Sequence, residues 1–489
     1  MNFKVHSIKY NFIMNTILKT SSFIFPLITF PYVSRVLGAV GNGKVSFAAS
    51  VVSYFSMFAS LGIPTYGIRV CAESRDDKEK LSQVVQELLI ICMCCTIIAY
   101  LAFAICVLTI PRFKEDMVVL FVSSISLVLT SVGVEWFYQG IEQYDYITIR
   151  NIAVKIISII AMFLFVKKQS DFVIYAFINV IGTVGSNILN ILRLKKFITF
   201  KKLKKYNLKK HLKPAFVFLC LSATITVYTN LDVIMLGFMK GDAQVGYYNA
   251  AIKIRSVLLS IVTALGTVVL PRASYYYKTN MKKEFEWINS RSLQFVVLLS
   301  LPLAVFFTIE SSDMIYLLAG AHYDGAINPL RCILPTIVFV GISTVTGTQI
   351  LVPMGCEKIT ATSTAFGAIT DLLLNLFLIK SIAASGAAIA TTIAELIVLI
   401  VQIVYLKGKI SLSINIMEYS KIILGCLVSS VIVLMIKSTF NIDNVLLNLI
   451  VVFVIYFMSY GSILFFLKEN LVVSCYEQIR DFCNKVISK

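Results

Sequence analysis

Apolar runs of about 20 residues recur from one end of the chain to the other, and no other feature restricts its fold so strongly. A helical run of that length matches the hydrocarbon thickness of a bilayer, whereas barrel strands are about half as long and alternate in polarity. Fourteen spans are expected, over 11–32, 45–66, 84–108, 117–138, 148–166, 172–192, 214–237, 247–270, 292–310, 329–352, 359–379, 384–406, 419–436 and 444–467. Charged residues are only 14% of the chain, against about 25% in a soluble domain. The expected class is an all-α integral membrane protein. Lys4 and Lys9 ahead of an apolar run resemble a signal peptide, but the run continues to Tyr32 without a small-residue cleavage site and is expected to be the first span.

The net charge of +18 then becomes a question of sides. With the N-terminus inside, 30 Lys and Arg lie in or at the edge of the loops and tails on that side. Nine lie on the other and 5 within spans, which accounts for all 44. This is the positive-inside pattern, and it puts both termini in the cytoplasm. Nucleic acid is not an expected partner. The densest basic run, Arg193–Lys213, either lies on the anionic lipids of the inner leaflet or is a solvated linker carrying topogenic charge. The 11 cysteines sit mostly in spans, the 3 histidines are far apart, and no P-loop occurs. Disulfide, metal and ATP chemistry are therefore not expected.

The chain also repeats itself. Asn15–Arg69 places two apolar spans around a Gly-rich turn holding Arg35, Gly38, Gly41, Gly43 and Lys44. In the second half, Leu236-Gly237 answers Leu37-Gly38, and Tyr248–Ala251 answers Phe47-Ala48-Ala49. Leu265-Gly266 with Pro271 and Arg272 answers Leu61-Gly62 with Pro64 and Arg69. A duplicated helical bundle is expected: a six-helix lobe over 1–194, a basic connector at 195–213, and a second lobe over 214–410. Two additional spans at 411–467 and a cytoplasmic tail at 468–489 complete it. Duplicated bundles of this kind point to transport.

Several spans carry polar residues on one helical face: Asn15, Lys19, Ser22, Pro26 and Thr29; Lys253, Ser256, Ser260, Thr263 and Thr267; Thr360, Thr364, Gly367, Asp371 and Asn375. Five cations fall within spans, namely Lys19, Lys155, Lys253, Arg255 and Arg331, with Arg35 just beyond the first. Each costs about 2.5–3.5 kcal/mol at mid-bilayer, so lipid-facing positions are excluded for most of them. They either line a cationic, water-filled cavity or pair with buried acids such as Asp232, Glu310, Asp371 and Glu395. A cationic cavity selects an anion, and a diphosphate is the membrane-borne candidate.

Val134–Glu142 (VEWFYQGIE), continuing through Tyr146–Asn151 to Lys155, resembles a hallmark run of Wzx-type O-antigen flippases. Leu231–Gly237, Val245–Ala251, Gln349–Gly355, Asn375–Ile379 and Gly386–Thr391 with Glu395 are similar to further stretches of that family. It is the polysaccharide-transport branch of the superfamily that includes MATE drug exporters. The resemblance implies two pseudo-symmetric six-helix lobes around a central cavity, in a bacterial plasma membrane. It also implies carriage of an undecaprenyl-diphosphate-linked glycan to the outer leaflet by alternating access, alongside a polymerase and chain-length machinery. Arg35, Lys155, Lys253 and Arg255 are then the implied diphosphate contacts, while Lys19 and Arg331 rest on the charge argument. No cofactor is implied. Asp232, Asp371 and Glu395 are the acids available for proton or sodium coupling. A MATE-type antiporter should place deep carboxylates where Lys19 and Lys155 stand. A polysaccharide polymerase should carry a large outer loop, and the longest here is 311–328.

Overall fold

The computed structural model describes residues 7–201, 206–412, 415–439 and 442–487, and among them every regular element is helical. The chain starts with α1, Ile8–Ser60. Its 53 residues extend about 80 Å at 1.5 Å each, far more than one hydrocarbon core, so the helix must hold two spans. The break is a single residue, Gly38, at φ 66° and ψ −175°, a conformation reserved for glycine. The expected Gly-rich turn is thus reduced to one non-helical position. Gly43 stays helical and serves contact instead: a Cβ there would lie 1.8 Å from the carbonyl oxygen of Asp242.

Left-handed Leu61 and Gly62 end α1, and Pro64 opens α2, Ile63–Ser74. The Asp77 carboxylate caps α3, Lys78–Thr109, by accepting the N–H groups of Glu79 and Lys80. Next come α4 (Pro111–Glu115), α5 (Met117–Val132), α6 (Glu135–Gly140) and α7 (Tyr144–Phe165). α8, Phe172–Val180, passes through a π turn into α9, Asn187–Leu194, with a bend of 41°. After the basic segment, of which 202–205 lie outside the described residues, α10 runs over Lys209–Met239.

These helices form the first of two compact units, Met1–Asn249. α10 packs on α1 and α2 within it. The basic segment is fastened to the start of α3 rather than hanging in solvent. Gln86 donates to the Thr199 carbonyl and accepts from the Tyr206 hydroxyl, at 2.6 and 3.0 Å. The Asn207 N–H donates to Glu87. His211, fully buried, sits 2.8 Å from both the Glu87 carboxylate and the Tyr66 hydroxyl. In hydrocarbon, such buried polar groups need internal partners.

The second unit is Ala250–Lys489. α11, Asp242–Lys278, enters it and bends by 41° between Ala264 and Val268. It continues with α12 (Lys282–Ile309), α13 (Ser311–Ala319), α14 (Ile327–Ile333), α15 (Thr336–Thr344) and α16 (Glu357–Leu406). Non-helical Ile382 and Ala383 interrupt α16. α17 (Ile416–Thr439) and α18 (Val445–Phe466) pack on α12 through Ile422, Cys426, Tyr460 and Leu464, and Lys437 grips Glu310 at 2.9–3.0 Å. α19, Asn470–Ile487, closes the described chain.

Among the described residues, 9 helices are long and apolar enough to cross a membrane, or 12 when bent pairs count as one span each. Two of them, Lys9–Ser74 and Glu357–Leu406, are 66 and 50 residues long and interrupted midway. Taking each as two brings the number to fourteen, consistent with the expected count. The outward surface is apolar, with Ile98 and Phe377 about 70% exposed at 67% and 72%. That inverts a soluble surface and fits contact with lipid.

Candidate functional site

The first unit contains a cavity of about 440 Å³ whose polar lining is almost entirely hydroxyl and amide. α1 contributes Ser53, Ser56 and Ser60, and α5 contributes Ser123, Ser126 and Thr130. α8 and its π turn add Asn179 and Thr183, and α10 adds Ser222, Thr226 and Asn230. On each helix these residues are three or four apart, which stacks them on one face. Among the described residues, no charged one lines the cavity. Ser53, Ser60, Ser126 and Thr183 donate to carbonyls one turn back, so they face the space as acceptors. Ser56, Thr130, Asn179, Ser222 and Thr226 have no side-chain hydrogen bond among the described residues. A neutral cavity offering both donors and acceptors suits a polyhydroxylated guest.

An ionic cluster lies around Lys44, next to Val45 of the cavity lining and just past the Gly38 break in α1. Lys44 and Arg112 converge on the buried Asp116 at 2.6 and 2.7 Å. Arg112 also pairs with Asp242, stacks over Phe47 at 4.9 Å and donates to the Gly237 carbonyl. Burial opposes the charge of Arg112, but Asp116 and Asp242 outweigh it and hold the guanidinium above its ordinary range.

A second recess, of about 400 Å³, runs between the first half of α1 and α7. Ile17, Ile24, Ile28, Ile152, Ile156 and Ile159 form its walls, and Lys155 is its only charged lining residue. The Lys155 amine donates to Ser21 and Ser22 at 3.0 Å each, and both serines donate to the Leu18 carbonyl. It forms no ion pair among the described residues. Lys19, exposed on α1, likewise has no polar partner among them. Arg35 is exposed and donates to the Pro31 carbonyl. Asp232 is buried in this unit and accepts the Tyr248 hydroxyl.

The second unit treats its charges differently. Arg255 donates to Thr336 Oγ1 at 2.5 Å and pairs with Glu395 at 3.4 Å, both side chains nearly buried. Here the pairing alternative is realised. Lys253, two residues before Arg255 and so on another side of α11, is half-buried, and Arg331 is exposed and donates to Ser311 at 2.7 Å. Asp371 and Asn375, one turn apart on α16, are fully buried. Thr267 of the expected α11 stripe lies outside the described side chains.

The cavity's stripes at 53/56/60, 123/126/130 and 222/226/230 escaped the sequence reading, which followed stripes bearing charge. Their signal was the same helical spacing without a charged member.

A family model described as "Polysaccharide biosynthesis protein" matches residues 8–276, and a second, "MatE", matches residues 218–377. The chain is 25% identical over 411 residues to a "Putative O-antigen transporter" of Escherichia coli K12, covering 84% of this chain and 99% of that one. Among solved structures it is similar to the lipid II flippase MurJ in an inward closed conformation, at TM-score 0.75 and 17% identity, over 94% of this chain and 100% of that one. An inward-facing MATE multidrug transporter aligns at TM-score 0.62 and 12% identity, over 82% and 98% of the respective chains. At these identities the two structures share the fold.

Proposed function

The chain belongs to the polysaccharide biosynthesis protein family, and from that premise we propose that it is a flippase for a lipid-linked glycan, undecaprenyl-diphosphate-linked in a bacterial plasma membrane. The observation that carries this reading is the uncharged, hydroxyl- and amide-lined cavity of the first unit. Sugar hydroxyls exchange hydrogen bonds with such a lining, while a cationic drug finds no carboxylate in it. The O-antigen transporter among the relatives supports the same substrate class.

The amine of Lys155 is the favoured diphosphate contact. It is held by neutral serines rather than neutralised by an acid, in a recess whose isoleucines suit an isoprenyl chain. Lys19, Arg35, Lys253 and Arg331 are secondary contacts in this proposal. Arg255 joins them only when Glu395 releases it, which makes Glu395 the preferred coupling acid ahead of Asp232 and Asp371. Proton uptake by Glu395 would free a cation, linking an ion gradient to anion binding. Both termini are placed in the cytoplasm, and a polymerase with its chain-length regulator is the expected neighbour in the pathway.

The test compares two cargoes in vesicles holding the purified protein. Lectin capture of a fluorescent undecaprenyl-diphosphate oligosaccharide is expected to rise with time, and a cationic dye is expected to stay put. Dye efflux on a proton gradient with no glycan movement would favour the antiporter reading instead.

A further inference from the structure

A third recess, of about 630 Å³, lies where the start of α7 meets the end of α9. Positive-inside topology puts this end at the cytoplasmic face. Arg150, Arg193 and Lys196 line it, with Asp145 its only acid among the described residues. The rest of its lining among the described residues includes Ile149, Leu189 and Leu192, which are 64%, 45% and 68% exposed. Leu189 and Leu192 precede the cations along α9 and so lie deeper in the bilayer. The recess is therefore cationic at the membrane surface and aliphatic below it.

Its cations are ordered. Tyr146 stacks between two guanidinium groups, with Arg193 Cζ at 3.9 Å from the ring centre and Arg150 Cζ at 5.5 Å. Arg150 is 4% exposed. One of its nitrogens, Nη2, reaches Glu135 at 3.0 Å and Asn151 at 3.3 Å. Nε and Nη1 are buried with no hydrogen-bond partner among the described residues. Arg193 and Lys196 form no ion pair among those residues, and they open the basic run Arg193–Lys213. Two orphan donors on a buried guanidinium beside two unneutralised cations call for an anion.

We propose that this recess binds the phosphate headgroup of an anionic phospholipid of the inner leaflet, with its acyl chains along Ile149, Leu189 and Leu192. The phosphodiester would take the free N–H groups of Arg150 and the charges of Arg193 and Lys196. This binding is independent of the transport reading, because it needs only the membrane and the recess. It would anchor the inner ends of α7 and α9, next to the basic segment that precedes α10.

The test is native mass spectrometry of the full-length protein from detergent with phosphatidylglycerol or phosphatidylcholine added. Wild type is expected to retain phosphatidylglycerol selectively, and the R193Q/K196Q double variant to bind it about thirtyfold more weakly, at about 1 kcal/mol per basic residue. Inorganic phosphate at the same concentration is expected not to displace the lipid. Arg150 is left intact because it holds Glu135. Should the double variant unfold, Tyr146→Leu removes the stacking platform and is expected to weaken phosphatidylglycerol binding likewise. Equal retention of the two lipids, unchanged binding by a folded variant, or full displacement by phosphate would each overturn the proposal.

Discussion

Lys155 and Arg255 are both cations within membrane spans, and their surroundings assign them different work. Lys155 donates to two serine hydroxyls and forms no ion pair among the described residues, whereas Arg255 is held by Glu395 and Thr336. Lys155→Met is expected to slow glycan flipping about 10–100-fold, the worth of one hydrogen bond to a charged group. Membrane insertion, followed by yield of folded protein, should be unchanged. For the pair, removing one partner strands a buried charge at a cost of about 3–5 kcal/mol. Arg255→Leu and Glu395→Leu are each expected to lower the unfolding midpoint in detergent, and the double variant to recover much of the loss. Simple addition of the two losses would mean the groups are not coupled. The sequence marks both residues as cations within spans, lining a cavity or paired with a buried acid, because charge in a span is visible in the letters. Which one meets an acid depends on helix packing, with 140 positions between Arg255 and Glu395, and no spacing rule reaches that far.

At the scale of elements, α1 carries the clearest demand on a single residue. Gly38 at φ 66° and ψ −175° separates two spans that would otherwise continue as one rod. Gly38→Ala forces a side chain into that region and is expected to cost about 1–3 kcal/mol, read as a lower thermal midpoint. Gly41→Ala, at a helical position, offers the comparison, although its Cβ would crowd Leu37 at 2.9 Å. Helix positions were legible because hydropathy records them directly. The single-residue break was not, since Gly38, Gly41 and Gly43 look alike in sequence while only Gly38 leaves the helix. The neutral stripes of α1, α5 and α10 were equally quiet. Serine and threonine in a span commonly bond back to their own helix, as Ser53 and Ser126 do here, so a stripe alone does not reveal that it borders a cavity.

For the whole molecule, family and cavity chemistry point to the same class of cargo. The chain belongs to the polysaccharide biosynthesis protein family and shares its fold with MurJ and MATE transporters. The uncharged lining of the first unit and the acid-free amine of Lys155 set the proposed cargo, a glycan with an anionic lipid anchor. The central claim is that the neutral hydroxyls handle the sugars. It is tested most directly by the rate at which a lipid-linked oligosaccharide reaches the outer leaflet of reconstituted vesicles, comparing wild type with Ser56→Ala/Ser222→Ala/Thr226→Val. These three side chains have no hydrogen bond among the described residues, so the change adds no bulk and removes only groups open to a guest. A rate about 100-fold lower is expected if each hydroxyl contributes about 1 kcal/mol to moving the glycan. An unchanged rate in the folded triple variant would contradict the assignment of this cavity to the glycan.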